Sequence, residues 1–380
     1  MIDDVLQRKL RDLRHELHAH PEVSGNEHRT AERIIHYLQG LEPDELITHV
    51  GGTGILARFD GKAKGRDLLF RAELDALPIQ EENDVAHRSN IDGVAHKCGH
   101  DGHMAILCGL AERLSAERPE HGNVWLLFQP AEENGEGARA VLDDPRSAVI
   151  GDPIVFALHN LPGVPRGTVV LRDHAFTASV TSIIIKLHGR TSHAAEPEHG
   201  DNPAMALAIL IERCLGLAHN VPSDPHMKVI TPVYARLGTM DYGISAGNAE
   251  LHLTIRCWND DELDQLKRSI ENEAGSIAAE HGLKVHFGYV QEFRANMNDP
   301  QAVGMVRKAV ENSGSKDETA DHPFKWGEDF GLFTAKFKGC MFGIGAGENM
   351  PALHNPDYDF PDDIIPHGVA VFEQIVRMNN

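Results

Sequence analysis

The chain has 380 residues, enough for two domains each with its own core, and its 41% hydrophobic and 24% charged content is ordinary for a globular protein in water. A formal charge of -21 argues against nucleic acid and against anionic membrane as partners, and is read as an aid to solubility. Five cysteines form no disulfide framework, no leader-like segment opens the sequence, and no apolar run approaches the roughly 20 residues of a membrane span, so a reduced cytoplasmic setting is expected.

In chain order, Leu6, Leu10, Leu13 and Leu17 lie at helical spacing and predict an amphipathic helix stopped near Pro21; a second helix is predicted over 30–41. Short apolar runs at 54–59, 68–72, 124–128 and 154–158 read as strands, with helical stretches such as 104–114 between them. Strands alternating with helices predict an α/β domain with a mainly parallel sheet. From residue 179 the pattern changes to strand 179–187, helix 203–217, strands 228–237 and 250–256, helix 260–281 and strand 283–290. That β-α-β-β-α-β order predicts a ferredoxin-like domain inserted over 179–290 into a metal-binding catalytic domain made of 1–178 and 291–380.

The chemistry concentrates in Cys98-Gly99-His100-Asp101-Gly102-His103, which packs a thiol, two imidazoles and a carboxylate into six residues. Glu132-Glu133, His159 and His354 add ligand-type side chains from distant segments. Thiolate, imidazole and carboxylate together suit zinc, or manganese or cobalt where carboxylates weigh more. Glu73, Asp75, Glu132, Glu133 and His159 follow apolar strands, and in open α/β sheets sites lie beyond the carboxyl ends of the strands. Cys98 has three readings at this point: an inert buried thiol, a nucleophile, or a metal ligand. The adjacent acids have two. They form a solvated turn, or one binds metal while its neighbour faces an activated water, takes its proton and delivers it to a leaving amine. The other histidines, His18 among them, read as structural or solvated.

These segments carry a resemblance. The chain resembles the amidohydrolase branch of the aminoacylase superfamily of metallopeptidases, which includes hippurate hydrolases and indoleacetate-amino acid hydrolases. The matching stretches are Arg14-His15-Glu16-Leu17-His18 with Pro21-Glu22, Arg71-Ala72-Glu73-Leu74-Asp75-Ala76-Leu77-Pro78, and the Cys98-to-His103 cluster. Gln129-Pro130-Ala131-Glu132-Glu133, Gly327-Glu328-Asp329-Phe330 and Leu353-His354-Asn355-Pro356 complete them in family order. The resemblance implies a phosphorylase/hydrolase-like catalytic domain and an inserted lid and dimerisation domain. It implies two divalent metal ions per subunit, Mn2+ or Zn2+ with Co2+ or Ni2+ as further candidates, held by Cys98, His100, Glu133, His159 and His354. Glu132 would be the general base and acid, and His193 a lid histidine that stabilises the oxyanion. Arg256 would meet the substrate carboxylate, unless it forms a structural salt bridge, and Glu73, Asp75 and Asp101 would stand behind the ligands. The implied activity is hydrolysis of an N-acyl amino acid or peptide-like conjugate by a homodimer. A dipeptidase or aminopeptidase, a non-catalytic binding protein on the same scaffold, and a metal-free cysteine hydrolase are the rivals. Two departures stand out: the family usually has Asp where Glu73 stands, and its Asn-Val-Ile-Pro lid motif is replaced by Asp241-Tyr242-Gly243-Ile244-Ser245-Ala246-Gly247-Asn248.

Overall fold

The computed structural model describes residues 2–379. They divide into two compact units, the smaller comprising Thr177–Ala295 and Asp321–Gly327, the larger the remainder. Asp321–Gly327, which the sequence reading leaves with the catalytic domain, clusters with the smaller unit because the Ala178 N–H donates to Phe324 O at 2.9 Å.

The larger unit opens with helices α1 (Asp4–Ala19) and α2 (His28–Gln39). Asp3 caps α1 by accepting from the Val5 and Leu6 N–H groups, and Leu10, Leu13 and Leu17 bury its apolar stripe. Strands β1 (Glu45–Val50), β2 (Gly54–Phe59) and β3 (Leu68–Glu73) follow, then helix α3 (His100–Ala116), β4 (Val124–Gln129), helix α4 (Gly137–Asp143), β5 (Ile154–Pro162) and β6 (Val169–Leu171). In the smaller unit the order is β7 (Ser179–His188), α5 (Ala204–Gly216), β8 (Lys228–Leu237), β9 (Asn248–Cys257), α6 (Asp260–Glu280) and β10 (Lys284–Phe293). The chain then returns to the larger unit with α7 (Pro300–Ser313), β11 (Asp317–Thr319), α8 (Gly331–Lys336), β12 (Gly339–Gly347) and α9 (Ile365–Arg377).

The large sheet has eight strands in the order β1-β2-β4-β3-β5-β12-β6-β11. Its centre, β4-β3-β5-β12, is parallel throughout, and β3 and β4 are buried along their whole length, as a sheet covered on both faces requires. Helix α3 is buried nearly all round, from His100 to Ala111, against this sheet. In the smaller unit β8-β9-β7-β10 form an antiparallel sheet whose core contains Ile183, Leu251, Leu253, Leu210 of α5 and Ile270 of α6. All five cysteines are free and buried, and among the described residues no helix is long and apolar enough to cross a membrane.

Strand β12, Gly339-Cys340-Met341-Phe342-Gly343-Ile344-Gly345-Ala346-Gly347, is fully buried although glycine disfavours strands. The glycines make room for neighbours. A Cβ on Gly343 would sit 2.1 Å from Leu161 Cδ1, and one on Gly339 2.3 Å from a Val155 methyl. Gly343→Ala is expected to cost about 1–3 kcal/mol by overpacking, read as a lowered urea midpoint. An unchanged midpoint would mean that Leu161 gives way freely.

Candidate metal centre

The carboxyl ends of the central strands converge on the N-terminus of α3. Gly99, with φ 96°, is the left-handed residue that turns the chain into the helix, and a Cβ there would lie 2.6 Å from Asn160 Oδ1. Cys98 precedes that turn and His100 opens the helix. Thus the cluster singled out in the sequence begins α3, four residues upstream of the predicted helix 104–114. His159 lies within β5, not beyond it, because that strand runs on to Pro162.

Around this point the ligand-type atoms come together. Cys98 Sγ is 3.5 Å from His159 Nε2; His100 Nε2 is 3.8 Å from both Glu132 Oε2 and Glu133 Oε1; His354 Nε2 is 3.6 Å from Glu133 Oε2. The nitrogen–oxygen spacings are too long for hydrogen bonds and are what two donors at roughly 2.0–2.3 Å from a shared ion would have, while the sulfur–nitrogen contact is within reach of a weak thiol hydrogen bond. His100 Nε2 and Glu133 Oε1 are buried and without a hydrogen-bond partner, so both point unsatisfied atoms into the cluster. The tautomers suit ligation. His100 donates from Nδ1 to Asp75 O at 2.8 Å, which directs its Nε2 into the cluster, and His159 donates from Nδ1 to Asn160 O at 3.0 Å, which turns its Nε2 toward Cys98 Sγ. His354, exposed on its loop with φ 66°, contributes Nε2 from the open side.

Groups of the same composition elsewhere lack this character. His103 spends Nδ1 on Glu73 Oε2 (2.7 Å) and Nε2 on Asn160 Oδ1 (2.6 Å), so it braces β3 and β5 instead of offering a lone pair. The group His18, His87 and Asp359 already holds a cation, because Arg14 Nη2 lies 2.7 Å from His87 Nε2 and 2.6 Å from Asp359 Oδ1. Asp101 belongs to that layer, beneath α3: it takes the His18 Nδ1–H at 2.8 Å and pairs with Arg14. Burial opposes the His18 imidazolium, but Asp101 and Glu81 outweigh it and raise its pKa to about 9. His18 is therefore structural, as its sequence context suggests.

Asp75 accepts from the Glu133 N–H (2.9 Å) and the Ser24 hydroxyl (2.7 Å). Arg71, fully buried in β3, pairs with Glu73, with Glu328 (2.9 Å) and with Asp329 (2.6 Å). The sequence reading gave Arg71, Ser24, Gln129 and Asn160 no role. A charged residue inside an otherwise apolar strand was the available signal for Arg71; for Asn160 there was none, since only the fold brings it to His103.

The electrostatics are those of a cage of acids short of positive charge. Burial, with Glu328 and Glu133 nearby, holds the Glu132 carboxyl well above the usual carboxylate range, and burial raises Glu133 to about 7. Burial disfavours the His100 imidazolium, yet Glu73, Asp75 and Glu133 outweigh it and bring its pKa to about 10. Burial next to Glu133 and Glu132 pushes the Cys98 thiol well up. Near neutrality the cluster thus holds protons at His100 and Cys98, and a cation must displace them to bind. All of these pKa values are raised, so apparent metal affinity should fall as pH falls, by up to about tenfold per pH unit for each proton released. Calorimetric titration with Zn2+ or Mn2+ at pH 7 in two buffers of different protonation enthalpy is expected to show at least one proton released per chain. Binding without proton release would contradict this account of the cage.

His193 and Arg256 lie in the smaller unit. His193 is exposed, and its Nδ1 accepts from the Ala195 N–H at 3.0 Å, so in this arrangement the ring proton sits on Nε2 as a donor. Arg256, half-buried in β9, donates from Nη1 to Lys325 O at 2.7 Å. Among the described residues it forms no salt bridge.

A family model described as peptidase family M20/M25/M40 matches residues 69–378. N-acetylcysteine deacetylase of Bacillus subtilis (strain 168) is 28% identical over 376 residues, covering 99% of this chain and 98% of its own. N-acetyldiaminopimelate deacetylase of Anoxybacillus flavithermus (strain DSM 21510 / WK1) is 30% identical over 365 residues, 96% of each chain. The crystal structure of a Bacillus subtilis protein described as a dinuclear metal binding peptidase from M20 family superposes with a TM-score of 0.85 at 26% identity, covering 99% of both chains.

Proposed function

The chain belongs to peptidase family M20/M25/M40, and from that premise we propose that it hydrolyses the amide bond of N-acyl amino acids, using two divalent metal ions. It is a hydrolase of this family; the acyl group, the amino acid and the roles of individual residues are the proposal. The observation that carries it is the convergence of Cys98, His100, Glu133, His159 and His354 beside Glu132, with His100 Nε2 and Glu133 Oε1 buried and unpartnered 3.8 Å apart. These five side chains would hold Mn2+ or Zn2+. Bound divalent ions supply Lewis acidity, polarising a carbonyl and bringing the pKa of water to about 7.

Glu132 takes a proton from the attacking water and hands it to the leaving nitrogen. Its raised proton affinity suits the second task, and its neighbour Glu133 is left to the metal. The Nε2–H of His193 serves the developing oxyanion, a contribution of about 3 kcal/mol for one well-placed donor. The guanidinium of Arg256, free of any acid partner among the described residues, receives the substrate carboxylate as a fork donor. The smaller unit, with its ferredoxin-like β-α-β-β-α-β order, is read as lid and dimerisation domain, and five free cysteines agree with a cytoplasmic setting.

The names of the deacetylase relatives favour a short acyl group, and a benzoyl group, as in hippurate, is the alternative within the same class. A mass-spectrometric screen of N-acetyl and N-benzoyl amino acids against dipeptides, with Mn2+ or Zn2+ added, is expected to show turnover of N-acyl amino acids. Cleavage of dipeptides alone would overturn the deacylase reading in favour of a peptidase. His193→Ala is expected to lower kcat on the order of 100-fold with little change in metal content; an unchanged kcat would remove His193 from the mechanism.

A further inference from the structure

We propose that Glu27 is a positioning residue for Glu132 and Glu133, holding the turn that presents them; this rests on the roles given to those two acids above. Glu27 stands at the N-cap of α2 but makes no capping hydrogen bond with its side chain. Capping falls to Glu22, whose carboxylate accepts the Thr30 N–H at 2.9 Å. The Glu27 carboxylate, fully buried, reaches across to the turn after β4 instead. Oε1 accepts from the Gly25 N–H at 2.7 Å and from the Ala131 N–H at 2.9 Å, and Oε2 accepts from the Thr53 hydroxyl at 2.9 Å.

Ala131 needs such a hold. Its φ is 50°, the left-handed region that residues with a Cβ seldom occupy without outside support. The peptide group before Ala131 and the one after Glu132 are each fixed by a carboxylate. Glu27 takes the Ala131 N–H, and Asp75, itself hydrogen-bonded to the Ser24 hydroxyl, takes the Glu133 N–H. The Gly137 N–H donates to Ala131 O at 2.9 Å and closes the turn, where any Cβ on Gly137 would strike Pro130 O. Two successive carboxylates are thereby held to different tasks. If Ala131 relaxed toward ordinary backbone angles, the direction of the Glu132 side chain would swing, and a shift of about 1 Å at a reacting group costs on the order of 100-fold in rate.

Because the function of Glu27 is to accept hydrogen bonds at a fixed reach, side-chain geometry decides the outcome, not charge. Glu27→Gln keeps one oxygen for the Gly25 and Ala131 N–H groups and turns an N–H toward the Thr53 hydroxyl, which can accept. Glu27→Asp keeps the charge but is one methylene short. Glu27→Ala removes the acceptor. With each variant loaded with Mn2+, Glu27→Asp and Glu27→Ala are expected to lose about 100-fold in kcat with KM within about threefold, while Glu27→Gln stays within about threefold of the parent. Hydrogen exchange of the peptide spanning 130–134 gives a readout independent of turnover: it should speed up in Glu27→Asp and Glu27→Ala and remain slow in Glu27→Gln.

Should Glu27→Ala not fold, the Asp and Gln variants carry the same contrast. Lower stability with kcat per metal-loaded chain and exchange at 130–134 both unchanged would overturn the proposal, leaving Glu27 a structural residue. Glu27→Gln as impaired as Glu27→Ala would also overturn it, because charge would then matter more than reach. A parent enzyme inactive on every amide tested would refute the proposed function, and the exchange contrast would still judge Glu27.

Discussion

Glu132→Gln is expected to lower kcat on the order of 1000-fold while metal content and fold are retained. Glutamine has the size and shape of glutamate but cannot take a proton from water at neutral pH, so the substitution removes the proton transfer and little else. Two further features make this variant informative. Burial and the neighbouring Glu328 and Glu133 hold the Glu132 carboxyl well above its usual range, so a neutral amide relieves like-charge crowding. The urea midpoint should therefore be equal to or higher than that of the parent, in contrast to most substitutions at a buried site. The five proposed ligand side chains are untouched, so metal stoichiometry should not change. Activity close to the parent's would leave Glu132 without its role and would reopen the reading of Cys98 as a nucleophile.

Arg71→Met carries the second large effect, on stability. The guanidinium is fully buried in β3 and pairs with Glu73, Glu328 and Asp329, while its Nε donates to Gln129 Oε1 at 2.9 Å. Methionine fills much of the volume but leaves three carboxyl groups buried without their cation. Breaking a buried ion pair from one side typically costs about 3–5 kcal/mol. The sign with pH follows from the groups that remain. Burial already raises Asp329 to about 8 with Arg71 present, and Glu73, which Arg71 and His103 hold well below the usual carboxylate range against its burial, loses the larger part of that hold without the cation. The destabilisation should then be smaller at pH 5, where the carboxyls can take protons, and larger at pH 8. Urea midpoints at the two pH values test this; equal losses at both would mean that the acids are not responsible. Catalysis should suffer as well, because Glu73 fixes His103 and Gln129 holds Asp329 at the base of the Glu132 turn.

Much of this was legible in the sequence, for a physical reason. Strands β3 and β4 are short continuous apolar runs, as a doubly covered parallel centre demands, and Glu73, Asp75, Glu132 and Glu133 fall at or after their carboxyl ends, while His159 lies within β5. Cys98, His100, Glu133, His159 and His354 could be proposed together because thiol, imidazole and carboxylate have few other reasons to gather in polar turns. Strand β12 was missed because its four glycines weaken any strand signal; Gly339 and Gly343 serve the close approach of Val155 and Leu161, which only the fold reveals. The first turn of α3 was missed because the helix is buried all round, so no polar face marks its period. Asp101 was placed behind the ligands, and the structure shows it turned toward His18 and Arg14 beneath the helix. Glu27 left no trace in the sequence, since a glutamate before a helix reads as an ordinary first-turn acid. Its reach to Ala131 exists only once α2 is packed beside the end of β4.

The central claim is that one cluster holds two divalent ions and that amide hydrolysis depends on them. Metal analysis of the chelator-stripped protein titrated with Mn2+ or Zn2+, with turnover of an N-acetyl amino acid followed on the same samples, tests it most directly. The account predicts no turnover in the stripped protein, activity that rises with metal and levels off near two ions per chain, and loss of that binding in His100→Ala. Turnover that persists undiminished after the metal has been removed would contradict it.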